Sequence, residues 1–280
     1  MDTRAYLAER RILVDRALDA WLPAADQPPE TLHAAMRHLL FPGGKRLRPA
    51  LAFAAAEAVG AVPERALSAA AAVELVHTYS LVHDDLPCMD DDDERRGRPS
   101  VHVAFGEANA VLAGDALLAA AFECLARDEG GSSAGQRLLA ARDLSIAAGS
   151  LGLVGGQADD LIFDSTETEP ARIESVHARK SAALIAASIV CGARLGGADE
   201  TRIRRLRGCG ELAGVAFQIA DDVLDAGEDD PCSLVRAIGV EASTRRGEEL
   251  LGESLQLLED FGEPAEALRG LLGYALRRSE

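Results

Sequence analysis

At 280 residues the chain is long enough for one large helical core or two smaller domains, and its 48% hydrophobic content allows a substantial interior. A formal charge of −17 excludes the broad basic face that general nucleic-acid binding or an anionic membrane surface requires, so an anion has to meet a local cationic cluster or a metal. With only 4% aromatics and an abundance of Ala and Leu, the composition predicts an all-α chain packed through small side chains, with little or no sheet.

Apolar residues recur at helical spacing in Leu7, Ile12, Leu13, Leu18 and Trp21, which predicts a first helix ending before the stretch Pro23 to Pro29. Further helices are expected over about 30–40, 50–59 and 66–87, with Pro42-Gly43-Gly44 as a break. Beyond the charged loop 90–99, the pattern predicts helices over about 107–127, 134–153, 171–195 and 199–225, then 233–261 and 265–278. No linker separates these pieces, so a single domain over 1–280 is expected. The Ala-rich stretches are interrupted by charge before the ~18 apolar residues of a membrane span, and the N-terminus carries no secretion signal. Five scattered cysteines without Cys-x-x-Cys spacing suggest neither zinc nor a disulfide framework and fit a reducing cytoplasm.

Two segments place aspartate pairs late in apolar helices: Ser80-Leu-Val-His-Asp84-Asp85 and Phe217-Gln-Ile-Ala-Asp221-Asp222. An acidic run such as Asp90 to Glu94 is ordinarily a solvated surface, but carboxylate pairs next to apolar helix repel one another unless they protonate or bind a cation. Asp221 and Asp225, four apart, share a helix face with Gln218, and Pro87 lets the chain curl so that Asp90 returns beside Asp84. Carboxylate oxygens without Cys or paired His favour magnesium or calcium, and magnesium commonly binds through carboxylates together with substrate phosphates. Gly43-Gly44-Lys45-Arg46-Leu47-Arg48-Pro49 and the run Arg95, Arg96, Arg98 are candidate phosphate partners. Alone, such a turn is more often a surface loop. His77, seven residues before Asp84, stands two turns along the same face.

Taken together, Gly43 to Pro49, Glu74 to Gly97, Gly155-Gly-Gln-Ala-Asp-Asp160 and Phe217 to Asp225 resemble the trans-prenyl diphosphate synthases, most closely the bacterial farnesyl diphosphate synthases. The resemblance implies a single-domain antiparallel helical bundle around a central cavity, usually a homodimer, that joins an allylic diphosphate to isopentenyl diphosphate. By that likeness Asp84, Asp90, Asp221 and Asp225 hold Mg2+ against the allylic diphosphate, while Lys180, Ser181 and Gln218 stabilise the allylic cation or grip the leaving group. Isopentenyl diphosphate is expected against Gly44, Lys45, Arg48, His77 and Arg96, with Arg95 facing the allylic diphosphate. Tyr79 and Ser80, fifth and fourth before Asp84, are the expected chain-length positions and suggest a fifteen-carbon stop. Without the resemblance, an ordinary core tyrosine is an equal reading.

One stretch departs from the family pattern. After the second aspartate motif a lysine-bearing loop is usual, whereas this chain reads Ala226-Gly-Glu-Asp-Asp-Pro-Cys-Ser-Leu-Val-Arg236, with Arg236, Arg245 or Arg277-Arg278 as possible replacements. That loop keeps a non-catalytic partner open as an alternative, and the two readings of Tyr79 keep geranyl or geranylgeranyl products open. A terpene cyclase fits less well, because both aspartate motifs and the Gly43–Pro49 turn are present.

Overall fold

The computed structural model describes residues 1–127, 130–164, 166–227 and 231–276. The helices are α1 (Thr3–Trp21), α2 (Glu30–His38), α3 (Leu47–Ala58), α4 (Leu67–Asp84), α5 (Val101–Phe105), α6 (Glu107–Ala126), α7 (Ala134–Ala148) and α8 (Leu153–Leu161). They continue with α9 (Pro170–His177), α10 (Ala183–Gly196), α11 (Glu200–Leu224), α12 (Leu234–Ile238), α13 (Val240–Gln256) and α14 (Glu266–Leu276). The fold is all-α, as the composition predicts.

Several helices begin where short polar side chains satisfy otherwise orphaned backbone N–H groups. Asp2 accepts from the backbone of Arg4 and Ala5, Asp199 accepts from Arg202, and Ser133 with Gln136 forms a reciprocal capping box. α3 and α10 are apolar nearly all round and take the middle of the bundle, with every residue from Leu184 to Leu195 buried. α4 lies between this centre and α6, burying Ala69 to Leu75 without a break. α11 packs between α10 and α13, so α4 and α11 flank the central helices and end at the same cavity.

Two expected helices are subdivided: Gly239 separates α12 from α13, and between α9 and α10 one wide π-turn, Ala178–Ala182, interrupts the regular repeat. α8 is an addition, following the glycines at 149 and 152 where the expected helix ended. The loop after α4 contains a small hairpin, β1 (Glu94–Arg95) paired with β2 (Arg98–Pro99). Its two-residue turn, Arg96-Gly97, has φ of +58° and +72°, the primed geometry that matches the twist of the flanking strands.

Two stretches, Glu107–Ala126 and 134–161, have the length and hydropathy of a membrane span, contrary to the expectation that charge would interrupt them sooner. The first buries Ala110, Ala113, Leu117 and Ala121 within the bundle, and the second is broken between α7 and α8.

Candidate active site

His77, Ser80, Leu81 and Asp84 share one face of α4 and line a cavity of about 400 Å³. Past the helix end the chain doubles back as Pro87 predicts, the Asp90 N–H donating to the Asp84 carbonyl at 2.9 Å, so that both carboxylates reach this cavity. Asp85 turns away. It is fully buried, and its Oδ1 accepts from Arg95 Nε at 2.8 Å while Arg95 also binds Asp92 at 2.6 Å, which holds the guanidinium at the cavity wall. Burial raises the Asp84 carboxyl to about 7, with repulsion from Asp90 and Asp85 added and attraction from Lys180 opposing.

The facing wall comes from α8, the π-turn and α11. A Cβ at Gly156 would stand 2.2 Å from the Lys180 backbone nitrogen, so only glycine lets α8 approach the π-turn this closely. That contact aims Gln157 into the cavity and pairs Asp160 with the Lys180 ammonium. Burial alone would lower the Lys180 pKa, but Asp160, Asp84 and Asp90 hold it above its usual value. Next to it, Ser181 Oγ donates to Gln218 Oε1 at 2.6 Å, and Gln218 and Asp221 of α11 complete the wall.

The second aspartate motif divides more than its spacing suggests. Asp221 faces the main cavity. Asp225, at the end of α11, instead lines an adjoining hollow of about 230 Å³ with Gln218, Asp222, Ser233 and Arg236. Asp222 is buried, and its Oδ2 accepts from the Leu234 N–H at 2.7 Å. Among the described residues no three His, Cys, Asp or Glu side chains form a closed cation site.

A second compartment of about 240 Å³ adjoins the first and is lined by Gly44, Lys45, Arg46, Arg48, Glu74, His77 and Arg96. Arg48 and His77 line both spaces. Burial pushes the His77 imidazolium well below its usual pKa, and the positive field of Arg48 and Arg96 adds to this, leaving a neutral ring. Of the expected cations, Arg46 proves structural: it is 2% exposed at φ +56° and clasps Glu74 at 2.5 Å, Asp15 at 2.8 Å and the Leu40 carbonyl. Arg98 donates to the carbonyls of His38 at 2.9 Å and Phe41 at 2.8 Å and so ties the hairpin to the end of α2.

Ser80 lines the main cavity, but Tyr79 does not. The tyrosine is buried among the residues between α4 and α6, its ring edge-on to His83 with centroids 5.8 Å apart. In the loop after Asp225, Glu228, Asp229 and Asp230 lie outside the described residues, as do Arg277 and Arg278. Arg236 donates to the Pro231 carbonyl at 2.7 Å beside the Asp225 hollow, and Arg245 is spent on an exposed pair with Glu241. Gln157, Asp160 and Phe217 also belong to the site; the Gly155-Gly156 pair ahead of Gln157 was the available sign of close approach. A larger hollow, about 600 Å³, lies on the other side of the π-turn, but its rim pairs Glu174 with Arg246 and Asp143 with Arg207, so it does not oppose carboxylates to unspent cations.

The chain is 39% identical to a chloroplastic geranylgeranyl pyrophosphate synthase of Capsicum annuum, over 97% of this chain and 78% of that protein. It is 42% identical to a chloroplastic geranylfarnesyl diphosphate synthase of Leucosceptrum canum, over 95% of this chain and 77% of that one. The structure superposes on an FPP/GFPP synthase from Zymomonas mobilis in its apo form with a TM-score of 0.90 at 37% identity, covering 98% of this chain and 99% of that one. The family model for polyprenyl synthetase matches residues 29–233, a span that runs from the cationic turn through both aspartate motifs and the π-turn between them, and the chain belongs to that family.

Proposed function

We propose that this prenyl diphosphate synthase condenses dimethylallyl or geranyl diphosphate with isopentenyl diphosphate to give farnesyl diphosphate, using magnesium, as a cytoplasmic homodimer. The observation that carries the reading is the pair of adjoining compartments. One has carboxylates on facing walls with Lys180 and Arg95 at its edge, and the other has Lys45, Arg48 and Arg96 around Gly44. Diphosphates of opposite roles fit these two spaces: an electrophile whose leaving group needs a metal, and a nucleophile whose diphosphate needs only fixed cations.

Asp84, Asp90 and Asp221 suit magnesium, because an open set of carboxylates leaves positions for phosphate oxygens and water, and because burial and repulsion from Asp90 outweigh the attraction of Lys180 at Asp84, a balance a bound cation would reverse. Those carboxylates would hold the ion, which would supply positive charge to offset the negative charge that grows on the leaving diphosphate. Lys180 and Arg95 grip the same leaving group by fixed charge. Lys45, Arg48 and Arg96 orient isopentenyl diphosphate, and neutral His77 donates or accepts a hydrogen bond there without adding to the cationic field.

For product length, the bulky Tyr79 at the fifth position before Asp84 supports a fifteen-carbon stop by its register alone, since its ring is buried in the core beside the cavity rather than in the lining. A second reading, a product of twenty or twenty-five carbons, is favoured by the names of the relatives. Exposed apolar side chains on neighbouring helices, Leu112 of α6 and Leu138 and Ile146 of α7, support a dimer, and five free cysteines support a reducing compartment.

The test is incubation with magnesium, isopentenyl diphosphate and dimethylallyl, geranyl or farnesyl diphosphate, followed by dephosphorylation and chromatographic sizing of the alcohols. Farnesol as the end product is expected. Geranylgeraniol or a longer alcohol would overturn the fifteen-carbon stop, and no product from any primer would overturn the synthase reading in favour of a non-catalytic partner.

A further inference from the structure

We infer that Asp222 is a positioning residue that fixes the polarity of the cavity wall, through Gln218, rather than a metal ligand. It is 5% exposed and is absent from the lining of the main cavity, whereas its neighbour Asp221 and its helical neighbour Gln218 are both part of that lining. Asp222 Oδ2 accepts from the backbone N–H of Leu234 at 2.7 Å, and Oδ1 accepts from Gln218 Nε2 at 3.4 Å. His177 closes the far side, its Nε2 3.7 Å from Oδ2 and donating to the Cys232 carbonyl at 2.9 Å.

A carboxylate only accepts, so the amide nitrogen of Gln218 faces Asp222 and the amide oxygen faces Ser181, whose hydroxyl donates to it at 2.6 Å. With its O–H directed at Gln218, Ser181 Oγ presents lone pairs to the cavity, as does Gln218 Oε1. When the allylic C–O bond breaks, its electron pair leaves on the diphosphate and positive charge remains on the allyl group. Negative dipole ends already aimed at that charge stabilise it without reorganisation. The same carboxylate pins the start of α12, so the chain segment after the second aspartate motif and the polarity of the wall are set by one side chain.

Asp222→Asn reverses this wall. The Leu234 N–H still demands an oxygen, which leaves the new amide nitrogen facing Gln218. Gln218 then turns its oxygen toward residue 222 and its NH2 toward Ser181 and the cavity. This inference rests on the reading of the main cavity as the place where the allylic diphosphate ionises.

The experiment is a double-mutant cycle of Asp222→Asn with Gln218→Glu, whose carboxylate carries oxygen at both ends and has no reversed state. In the protein that keeps Gln218, Asp222→Asn is expected to lower kcat roughly 10- to 100-fold with both KM values and the magnesium half-saturation unchanged. In the Gln218→Glu background it is expected to cost nothing, or to raise kcat by relieving repulsion. An equal loss in both backgrounds, or a rise in magnesium half-saturation like that of Asp221→Asn, would overturn the inference. If the parent protein turns over no primer, the active-site reading fails instead, and the side-chain amide of Gln218 decides the positioning alone. One of its protons is expected to resist exchange in the parent and not in Asp222→Asn; equal exchange in both overturns it.

Discussion

Replacing Gly156 by alanine adds one methyl group at a point where a helix meets backbone. The new Cβ would stand 2.2 Å from the Lys180 nitrogen and 2.6 Å from its Cα, against 3.4–4 Å for ordinary contact, and main chain cannot rotate out of the way. α8 must therefore retreat from the π-turn by about 1.2 Å or more, the difference between those distances, and Gln157 and Asp160 travel with it. A displacement of about 1 Å at a reacting centre costs on the order of 100-fold in rate, and overpacking costs roughly 1–3 kcal/mol of stability, partly offset by alanine's better helix propensity. Steady-state turnover with geranyl and isopentenyl diphosphates, read beside a urea melt, separates the two effects. The expected result is a folded protein with kcat down about 100-fold. As a control, Gly252→Ala on the exposed face of α13 meets no atom within 4 Å and is expected to keep full activity and gain about 0.5–1 kcal/mol. Turnover of Gly156→Ala within about threefold of the parent would refute the claim that close approach of α8 positions the site.

Asp84 titrates near 7 when folded against an ordinary 3.8, so the metal-free folded state binds the extra proton and the stability linked to it is lost as pH rises through about 7. With a chelator present, Asp84→Asn is expected to melt above the parent at pH 8 and to lose that advantage toward pH 5, while magnesium lifts only the parent; parallel melting curves at every pH would contradict this. Arg46→Met strands Glu74, itself 2% exposed, without its 2.5 Å partner, so urea unfolding should show a loss of about 3–5 kcal/mol; a loss below about 1 kcal/mol would mean the clasp is not structural. Of the five cysteines only Cys88 is exposed, and burial pushes the thiols of Cys124 and Cys209 up to about 12 and about 11. Iodoacetamide at pH 8 is expected to label one site, in the loop between Asp84 and Asp90, and magnesium with an allylic diphosphate analogue should slow it; rapid labelling of a second cysteine counts against the packed core.

Most helix positions were legible because apolar spacing and the Gly-Pro breaks agree, although the short α5 and α8 fall outside the expected helices, and the carboxylates that meet at the cavity announced themselves by lying at the ends of apolar helices. Other features left weaker marks. A π-turn needs one extra residue per turn but no special residue type, so Ala178 to Ala182 reads as ordinary helix, although it carries the cavity-facing Lys180 and Ser181. Arg46 and Arg48 are indistinguishable by composition, and only the partners waiting in α1 and α4 decide that the first is a clasp and the second lines both compartments. Likewise Asp221 and Asp222 differ by about 100° around α11, which sends one to the cavity and the other to the Leu234 backbone. Tyr79 has the converse problem: its register with Asp84 is plain in the sequence, yet its ring turns into the core toward His83.

Arg48 and His77 form the party wall between the two compartments, and a shared wall makes the two ligands thermodynamically linked. An anion on one side consumes part of the potential that Arg48 offers to the other and makes the intervening imidazole easier to protonate. Whatever the first diphosphate does to the affinity of the second, the second must do equally to the first. The order of loading is then a kinetic matter, while the coupling itself belongs to two side chains and to the proton that one of them can take up.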